Sequence, residues 1–366
     1  MVEFFHALSE RYTYDPFRNH YIVFGIGWGI PVPLFSLGVH LYAQQMHWTV
    51  SDAWSILSNH PVHLFFLLHP LFFGVVFGAL GTLRRVRDLR IAQIEQEKLL
   101  SDMEIAQEVQ AQLYPCTCPG MKTLDYSCMC RPASGLSGDY YDFLALRPHQ
   151  LCIAVGDVSG KGISAALLMA NLQALLRSRA YLDGDTLGSV VADMNRMMCS
   201  YTNESRYATF FCGVYDDTDR TMTYVNAGNH PPMLLRNGTS RQNTVACASQ
   251  IDVLPHCDVQ QTVSALQITR LESSGSPLGM FPDTFYRQET VYLNPGELLL
   301  IFTDGIIEAM NGREEEFGEL RLANLASAHR HLPPSALIDV ISDQIGAFVG
   351  QRTQHDDQTL IVAQVM

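Results

Sequence analysis

The sequence predicts an α+β layered domain, preceded by a hairpin of two membrane-length helices and a long linker helix. Three observations carry this reading. Between Asn19 and Leu83 the only formal charge is Asp52, so this stretch is suited to a different solvent from the rest. Residues 84–113 contain neither glycine nor proline and are mostly good helix formers. From about Leu124 onward, short apolar runs alternate with helical runs and turns, the pattern of stacked sheet and helix layers.

Within the uncharged stretch, residues 21–43 and 62–83 each supply roughly the 20 apolar residues that a membrane span requires. Arg11 and Arg18 precede the first span, and Arg84, Arg85, Arg87 and Arg90 follow the second, while the connecting residues 44–61 carry no Lys or Arg. The positive-inside rule then puts both ends of the hairpin in the cytoplasm. A cleaved signal peptide is not expected, because the first apolar run is long and contains Pro31 and Pro33. His40, His47, His60, His63 and His69 crowd into the hairpin. Imidazoles near membrane interfaces account for most of them, with a haem or metal sensor as the alternative.

In residues 84–113, Leu89, Ala92, Leu99, Met103, Ala106 and Leu113 form a heptad-like seam, interrupted by Gln96 and Gln110. Such a seam suits a parallel homodimer through the linker helix. The alternative is that its last two turns pack on the following domain. Pro115 ends the helix.

Residues 114–366 form the expected third unit. Its strands are read at Gln150–Val155, Tyr207–Tyr215, Thr221–Asn226, Glu297–Thr303 and Thr359–Val362, from continuous or alternating apolar runs. Helices are read at Ile163–Tyr181, Thr186–Thr202 and Pro334–Val349. The polar segment Gly238–Ser274, with a weak strand near Gln261–Ile268, reads as a flap or insertion.

The formal net charge of -13 disfavours a nucleic-acid groove, which needs a basic stripe. The nine cysteines are expected to be reduced in a cytoplasmic domain. Cys116-Thr117-Cys118 and Cys128-Met129-Cys130 resemble zinc ligands, but Cys-x-Cys is not the usual zinc spacing, and small buried apolar side chains are the preferred reading.

Four acidic clusters remain: Ser137-Gly138-Asp139, Gly156-Asp157-Val158, Thr303-Asp304-Gly305 and His355-Asp356-Asp357. Each abuts an apolar strand. An isolated Asp before Gly is normally a turn residue. Four brought to one sheet end repel one another unless hard divalent cations neutralise them. The glycines of Gly156-Asp157-Val158-Ser159-Gly160-Lys161-Gly162 also suggest a phosphate loop, but the lysine spacing departs from the Walker pattern. A pair of bound ions would activate water and clamp a phosphoryl group for in-line attack.

These motifs identify a resemblance. EIAQEVQAQLYP, RPASGLSGDYYDF, GDVSGKGISAALLMA, NAGNHPPMLL, LLLIFTDGIIEAMN and HDDQTLIV resemble the SpoIIE/RsbU-type branch of the PPM (protein phosphatase 2C-like) serine/threonine phosphatases. The resemblance covers nearly all of residues 104–366 and implies a β-sandwich flanked by helices. It further implies two Mn2+ or Mg2+ ions, bridged by Asp157, with the Val158 carbonyl on one of them. Asp304 and Asp356 would ligate the more buried ion, and Asp139 the second ion or its waters. Asp142, Asp357 and Asn229 read as supporting or turn residues, His230 as structural, and Arg131 as a candidate phosphate contact. With the two apolar spans and their flanking arginines, the expected protein is a multi-pass phosphatase of a bacterial inner membrane, its catalytic domain facing the cytoplasm. Its implied substrate is a phosphoserine or phosphothreonine of a regulatory protein, of the STAS-domain anti-sigma antagonist type. The alternative is a catalytically inactive membrane-anchored adaptor that binds a partner through the same fold.

Overall fold

The computed structural model describes residues 18–180, 186–201, 206–236 and 267–366. Most of the segment 238–274 therefore lies outside the described residues, as does Arg11. The chain divides into two compact units, Met1–Asp102 and Met103–Met366.

In the first unit, α1 (His20–Gly29) and α2 (Pro31–Ala43) replace the single helix expected over 21–43. Pro31 lacks an N–H, and its ring crowds the carbonyl four residues back, so the ladder is interrupted there. Next come α3 (Val50–Asn59), the short α4 (Val62–Phe66) and α5 (His69–Leu113). The second apolar run and the linker are thus one continuous helix from His69, instead of two elements meeting at residue 84. Glycines let α1 and α5 approach closely: a Cβ on Gly78 would meet the Ile22 side chain at 2.8 Å, and one on Gly81 the Tyr21 ring at 2.6 Å. Two helical stretches, His20–Ala43 and Val62–Leu113, are long and apolar enough to cross a membrane.

The second unit begins in the last turns of α5 and contains two five-stranded antiparallel sheets. One has the order β1 (Leu124–Arg131), β10 (Gln358–Val365), β9 (Leu298–Phe302), β6 (Met233–Arg236), β7 (Gln267–Arg270). The other runs β2 (Asp139–Arg147), β3 (Gln150–Val158), β4 (Ala208–Asp216), β5 (Thr221–Ala227), β8 (Glu289–Tyr292). Alternation along each strand sorts its side chains between two cores. Leu151, Ile153 and Val155 of β3 meet Leu299 and Ile301 of β9 and Ile361 of β10 between the sheets. Cys152 and Ala154 face outward onto α6 (Ile163–Arg179) and α7 (Leu187–Tyr201), beside Met169, Leu172 and Met194.

On the opposite outer face, Leu300, Phe302, Leu360 and Val362 pack under α9 (Gly318–Ala328) and α10 (Pro334–Val349). A short helix, α8 (Asp304–Ile307), follows β9 directly. The result is a four-layer helix–sheet–sheet–helix sandwich, in agreement with the predicted fold class. Strands covered on both faces read as continuous apolar runs, which is why β3, β9 and β10 were legible. The helix over 318–328 was not foreseen in the sequence.

Among the described residues, all seven cysteines are free. Cys116 and Cys118 are exposed, and Cys128 and Cys130 lie on β1 with partly buried side chains. Burial raises the Cys128 and Cys130 thiols to about 11, as expected for inert protonated thiols.

Candidate metal and phosphate site

The connections that leave β3 and β9 and the one that enters β10 bring the acidic clusters to one edge of the sandwich. Asp139 begins β2 and pairs with Asp157 near the end of β3, so these two carboxylates lie across one ladder from each other. Asp304 starts α8 immediately after β9. Asp356 and Asp357 immediately precede β10, which is hydrogen-bonded to β9. A Cβ on Gly305 would collide with the Asp357 carbonyl, so glycine is required where α8 passes the acidic turn.

Asp139 is buried, and its Oδ2 accepts from Thr303 Oγ1 at 2.8 Å and Thr359 Oγ1 at 2.6 Å. Thr359 N–H in turn donates to Thr303 Oγ1 at 3.1 Å, which ties the ends of β9 and β10 to β2. Burial first, then the neighbouring Asp157 charge, push the Asp139 carboxyl well above the usual carboxylate range. Asp157 is raised to about 7 by burial and then by Asp304, Asp356 and Asp357. Burial and Asp356 raise Asp304, and the adjacent His230 partly offsets this.

Carboxylates that disfavour one another's ionisation in this way offer an oxygen-only, anionic donor set, which matches Mn2+ or Mg2+. Among the described residues, however, no group of three or more His, Cys, Asp or Glu side chains is arranged to hold a metal ion. Two of the carboxylates have other partners in the structure. The threonines occupy Asp139, and Lys161 Nζ sits 3.2 Å from Asp356 Oδ1 while also donating to the His355 carbonyl. The residues fit the cation by chemistry and charge, but no three of them form a preformed cage.

The glycine turn around Lys161 suggests a phosphate loop in the sequence, but the lysine's partner in the structure is a carboxylate. Its turn depends on Gly160 and Gly162, at φ +97° and +74°, where other residues are strained. Asp357 supports the site as expected: it accepts from the Ala133 and Gly138 N–H groups, both at 2.7 Å, and from Ser137 Oγ at 2.9 Å.

Asp142 is a correction. It pairs with Arg177 of α6 at 2.7 Å and accepts from Tyr140 Oη, so it anchors α6 to β2 and does not support the acidic edge. The side-chain amide of Asn229 donates to the His230 and Phe302 carbonyls, and the His230 ring stacks on Phe302, both structural contacts. Gln110 is a second correction, since it does not interrupt a helix-pairing seam. Its side chain is buried in the second unit, hydrogen-bonded to Ser137.

Beside Asp356 lies a cleft of about 640 Å³ whose walls include Arg131, Glu308, Glu314, Arg352 and His355. Arg131, at the end of β1, faces Gln358 in register, and its carbonyl accepts from Gln354 Nε2 at 2.8 Å. The supporting residues Thr303, Thr359, Lys161 and Gln110 were not picked out as such in the sequence. The only local signal for the threonines is their position next to, or three residues after, an acidic residue.

A double antiparallel sandwich between helical layers, with carboxylates gathered at one edge, is the architecture of the protein phosphatase 2C class. The family model described as Stage II sporulation protein E (SpoIIE) matches residues 147–366, and the chain belongs to this family. Asp157, Asp304 and Asp356 fall inside the matched range, and Asp139 lies just before it. Phosphoserine phosphatase RsbU of Bacillus subtilis is 28% identical over 268 residues, covering 73% of this chain and 71% of RsbU. Protein IcfG of Synechocystis sp. is 26% identical over 289 residues, covering 71% of this chain. The chain spans only 41% of the length of IcfG. The SiaA-PP2C domain of Pseudomonas aeruginosa shares the fold, with a TM-score of 0.59 at 18% identity, over 74% of this chain and 98% of that domain.

Proposed function

We propose that the chain is a membrane-anchored, Mn2+- or Mg2+-dependent protein serine/threonine phosphatase. The observation that carries this reading is the gathering of Asp139, Asp157, Asp304 and Asp356 at one sheet edge, where burial and neighbouring carboxylates raise Asp139, Asp157 and Asp304. Family membership and the similarity to a named phosphoserine phosphatase support the same reaction class.

In this reading Asp157, Asp304, Asp356 and the Val158 carbonyl hold the cation or cations, and Asp139 completes the set from β2. The bound cations would supply Lewis acidity to water and to the phosphoryl group. The chain's own residues do the positioning. Thr303 and Thr359 fix the Asp139 carboxyl, and Asp357 fixes the loop before it. Arg131 on the cleft wall is suited to take a phosphate oxygen of the substrate, since a planar guanidinium matches the phosphate edge.

The proposed substrate is a phosphoserine or phosphothreonine of a cytoplasmic regulatory protein in sigma-factor signalling, of the STAS-domain type. The proposed organisation has three parts: a hairpin over 1–83 spanning the bacterial inner membrane twice, a linker helix over 84–113 and a phosphatase domain over 114–366. The arginines at residues 18, 84, 85, 87 and 90 support a cytoplasmic orientation. Leu89, Ile94, Leu99 and Leu100 of the linker helix are exposed, which supports pairing with a second copy upstream of Gln110.

The test compares phosphoproteomes of cells that express the wild-type chain or Asp157→Asn, together with Mn2+-dependent phosphate release from the purified protein. Phosphoserine or phosphothreonine sites should accumulate in the variant, and release should be lost. An unchanged set of sites, with no release by the wild-type protein, would favour the inactive-adaptor reading.

A further inference from the structure

The end of α5 makes a contact that neither helix packing nor metal binding requires. Gln110 Nε2 donates to the Ser137 carbonyl at 2.7 Å, and the Ser137 N–H donates to Gln110 Oε1 at 2.9 Å. One primary amide thus satisfies both backbone groups of one residue, as a neighbouring strand would. Ser137 needs this partner because it is fully buried and precedes β2, where no ladder reaches it.

Ser137 then links two acidic residues. Its Oγ donates to Asp357 Oδ2 at 2.9 Å and accepts from the Asp139 N–H at 3.0 Å. The same end of α5 holds Asp139 from its other side, because Tyr114 Oη donates to the Asp139 carbonyl at 2.9 Å. Burial keeps the Tyr114 phenol protonated, with its pKa far above the ordinary value. One turn before Gln110, the Gln107 side chain occupies the space that a Cβ on Gly135 would need, and Gly135 has φ +87°. The loop over 133–138 is therefore held by Asp357 on one side and by Gln110 on the other, with Gln107 leaving room only for glycine at residue 135.

We propose that Gln110 is a positioning residue for the acidic site: by pairing with the Ser137 backbone it sets where β2 begins, and so where the Asp139 carboxyl stands against Asp157. Glutamine is specific to this task. Glutamate would accept from the Ser137 N–H but oppose its carbonyl, leucine would leave both groups buried and unpaired, and asparagine is one methylene too short.

This inference rests on the phosphatase reading, and the experiment separates the two. Full-length wild-type protein, Gln110→Leu and Gln173→Leu are purified in detergent. They are compared by hydrolysis of p-nitrophenyl phosphate with Mn2+ and by metal-free amide exchange of residues 132–139. Gln173 serves as the control, because its amide donates to the Leu113 carbonyl and so holds the same helix end without touching the loop. Gln110→Leu should lower kcat about tenfold or more while KM stays within about twofold, as loss of positioning predicts. It should also speed exchange at the Ser137 and Gly138 amides, and Gln173→Leu should do neither.

Equal losses in both variants, or wild-type exchange in Gln110→Leu, would overturn the proposal. If Gln110→Leu does not fold, Gln110→Glu replaces it. That variant should keep the Ser137 amide protected and still lower kcat about fivefold or more, through the opposed carbonyl; wild-type kcat there would also overturn the proposal. Absence of hydrolysis by the wild-type protein would instead refute the phosphatase reading, and the exchange comparison would still decide the role of Gln110.

Discussion

Asp139 and Asp157 face each other across the β2–β3 ladder, one buried beneath two threonine hydroxyls and the other half-buried among Asp304, Asp356 and Asp357. Burial raises both carboxyls, and the charge of each neighbour raises them further. A hydrogen bond from Asp139 partly offsets the rise at Asp157. The pair is therefore held in a state that a divalent cation would relieve.

That arrangement sets a pH dependence. A carboxyl raised above its unfolded value stabilises the fold only while it is protonated. For Asp157 this contribution is complete below the ordinary carboxylate pKa of about 4. It is lost as pH rises through about 7. Metal-free protein in EDTA should therefore melt at a lower temperature at pH 8 than at pH 5.5. Saturating Mn2+ should reduce or reverse the slope, and Asp157→Asn should flatten it in EDTA. Thermal denaturation followed across this range checks all three.

The threonines are expected to act through Asp139. Thr359→Val removes a 2.6 Å donor to its carboxylate, and the Thr359 backbone contact to Thr303 is retained. Removing such a supporting bond typically costs about 10- to 100-fold in metal affinity. Calorimetric titration with Mn2+ should show a loss in that range for Thr359→Val, and a larger loss for Asp157→Asn.

Lys161 competes with any cation for Asp356. The pair is half exposed, so its strength is modest, about 0.2–1 kcal/mol, and screened by salt. Lys161→Gln should therefore tighten Mn2+ binding by a few-fold at low ionic strength, with a smaller gain at high salt. Arg352→Gln, which removes a cation from the same cleft wall, provides the comparison. An equal gain there would reduce the Lys161 effect to general electrostatics.

Arg177 and Asp142 make a pair that belongs to the fold and not to the acidic edge. Arg177→Met would leave the buried Asp142 carboxylate without its cation, at a cost of about 1–3 kcal/mol, because Arg177 is partly exposed and Tyr140 Oη still donates to the carboxylate. The variant should lose stability to denaturant while its Mn2+ affinity, measured on the folded fraction, stays close to wild type.

Much of the fold was legible because both faces of the central strands are covered. Leu151–Val155, Leu298–Phe302 and Leu360–Ala363 are unbroken apolar runs within their strands, and such runs stand out in a sequence. The helix Gly318–Ala328 was missed because its apolar stripe is short and follows a polar turn. The break at Pro31 follows from the missing N–H of proline, although composition alone suggested one span. Asp142 shares the SGDYYDF motif with Asp139, yet three residues along a strand turn it to the opposite face, toward Arg177. Gln110 reads as a seam interruption because helical spacing shows which residues share a face, not what that face meets.

The sequence by itself determined the nearly uncharged stretch from Asn19 to Leu83, the alternation of strand and helix, and the four acidic clusters, since each depends on local composition and periodicity. Only the tertiary structure decided which partners those clusters acquire. Thr303 and Thr359 on Asp139, Lys161 on Asp356 and Gln110 on Ser137 are contacts between segments 27 to 220 residues apart. Hydrogen bonds over such separations are set by how sheets stack and connections cross, so no local pattern in the chain records them.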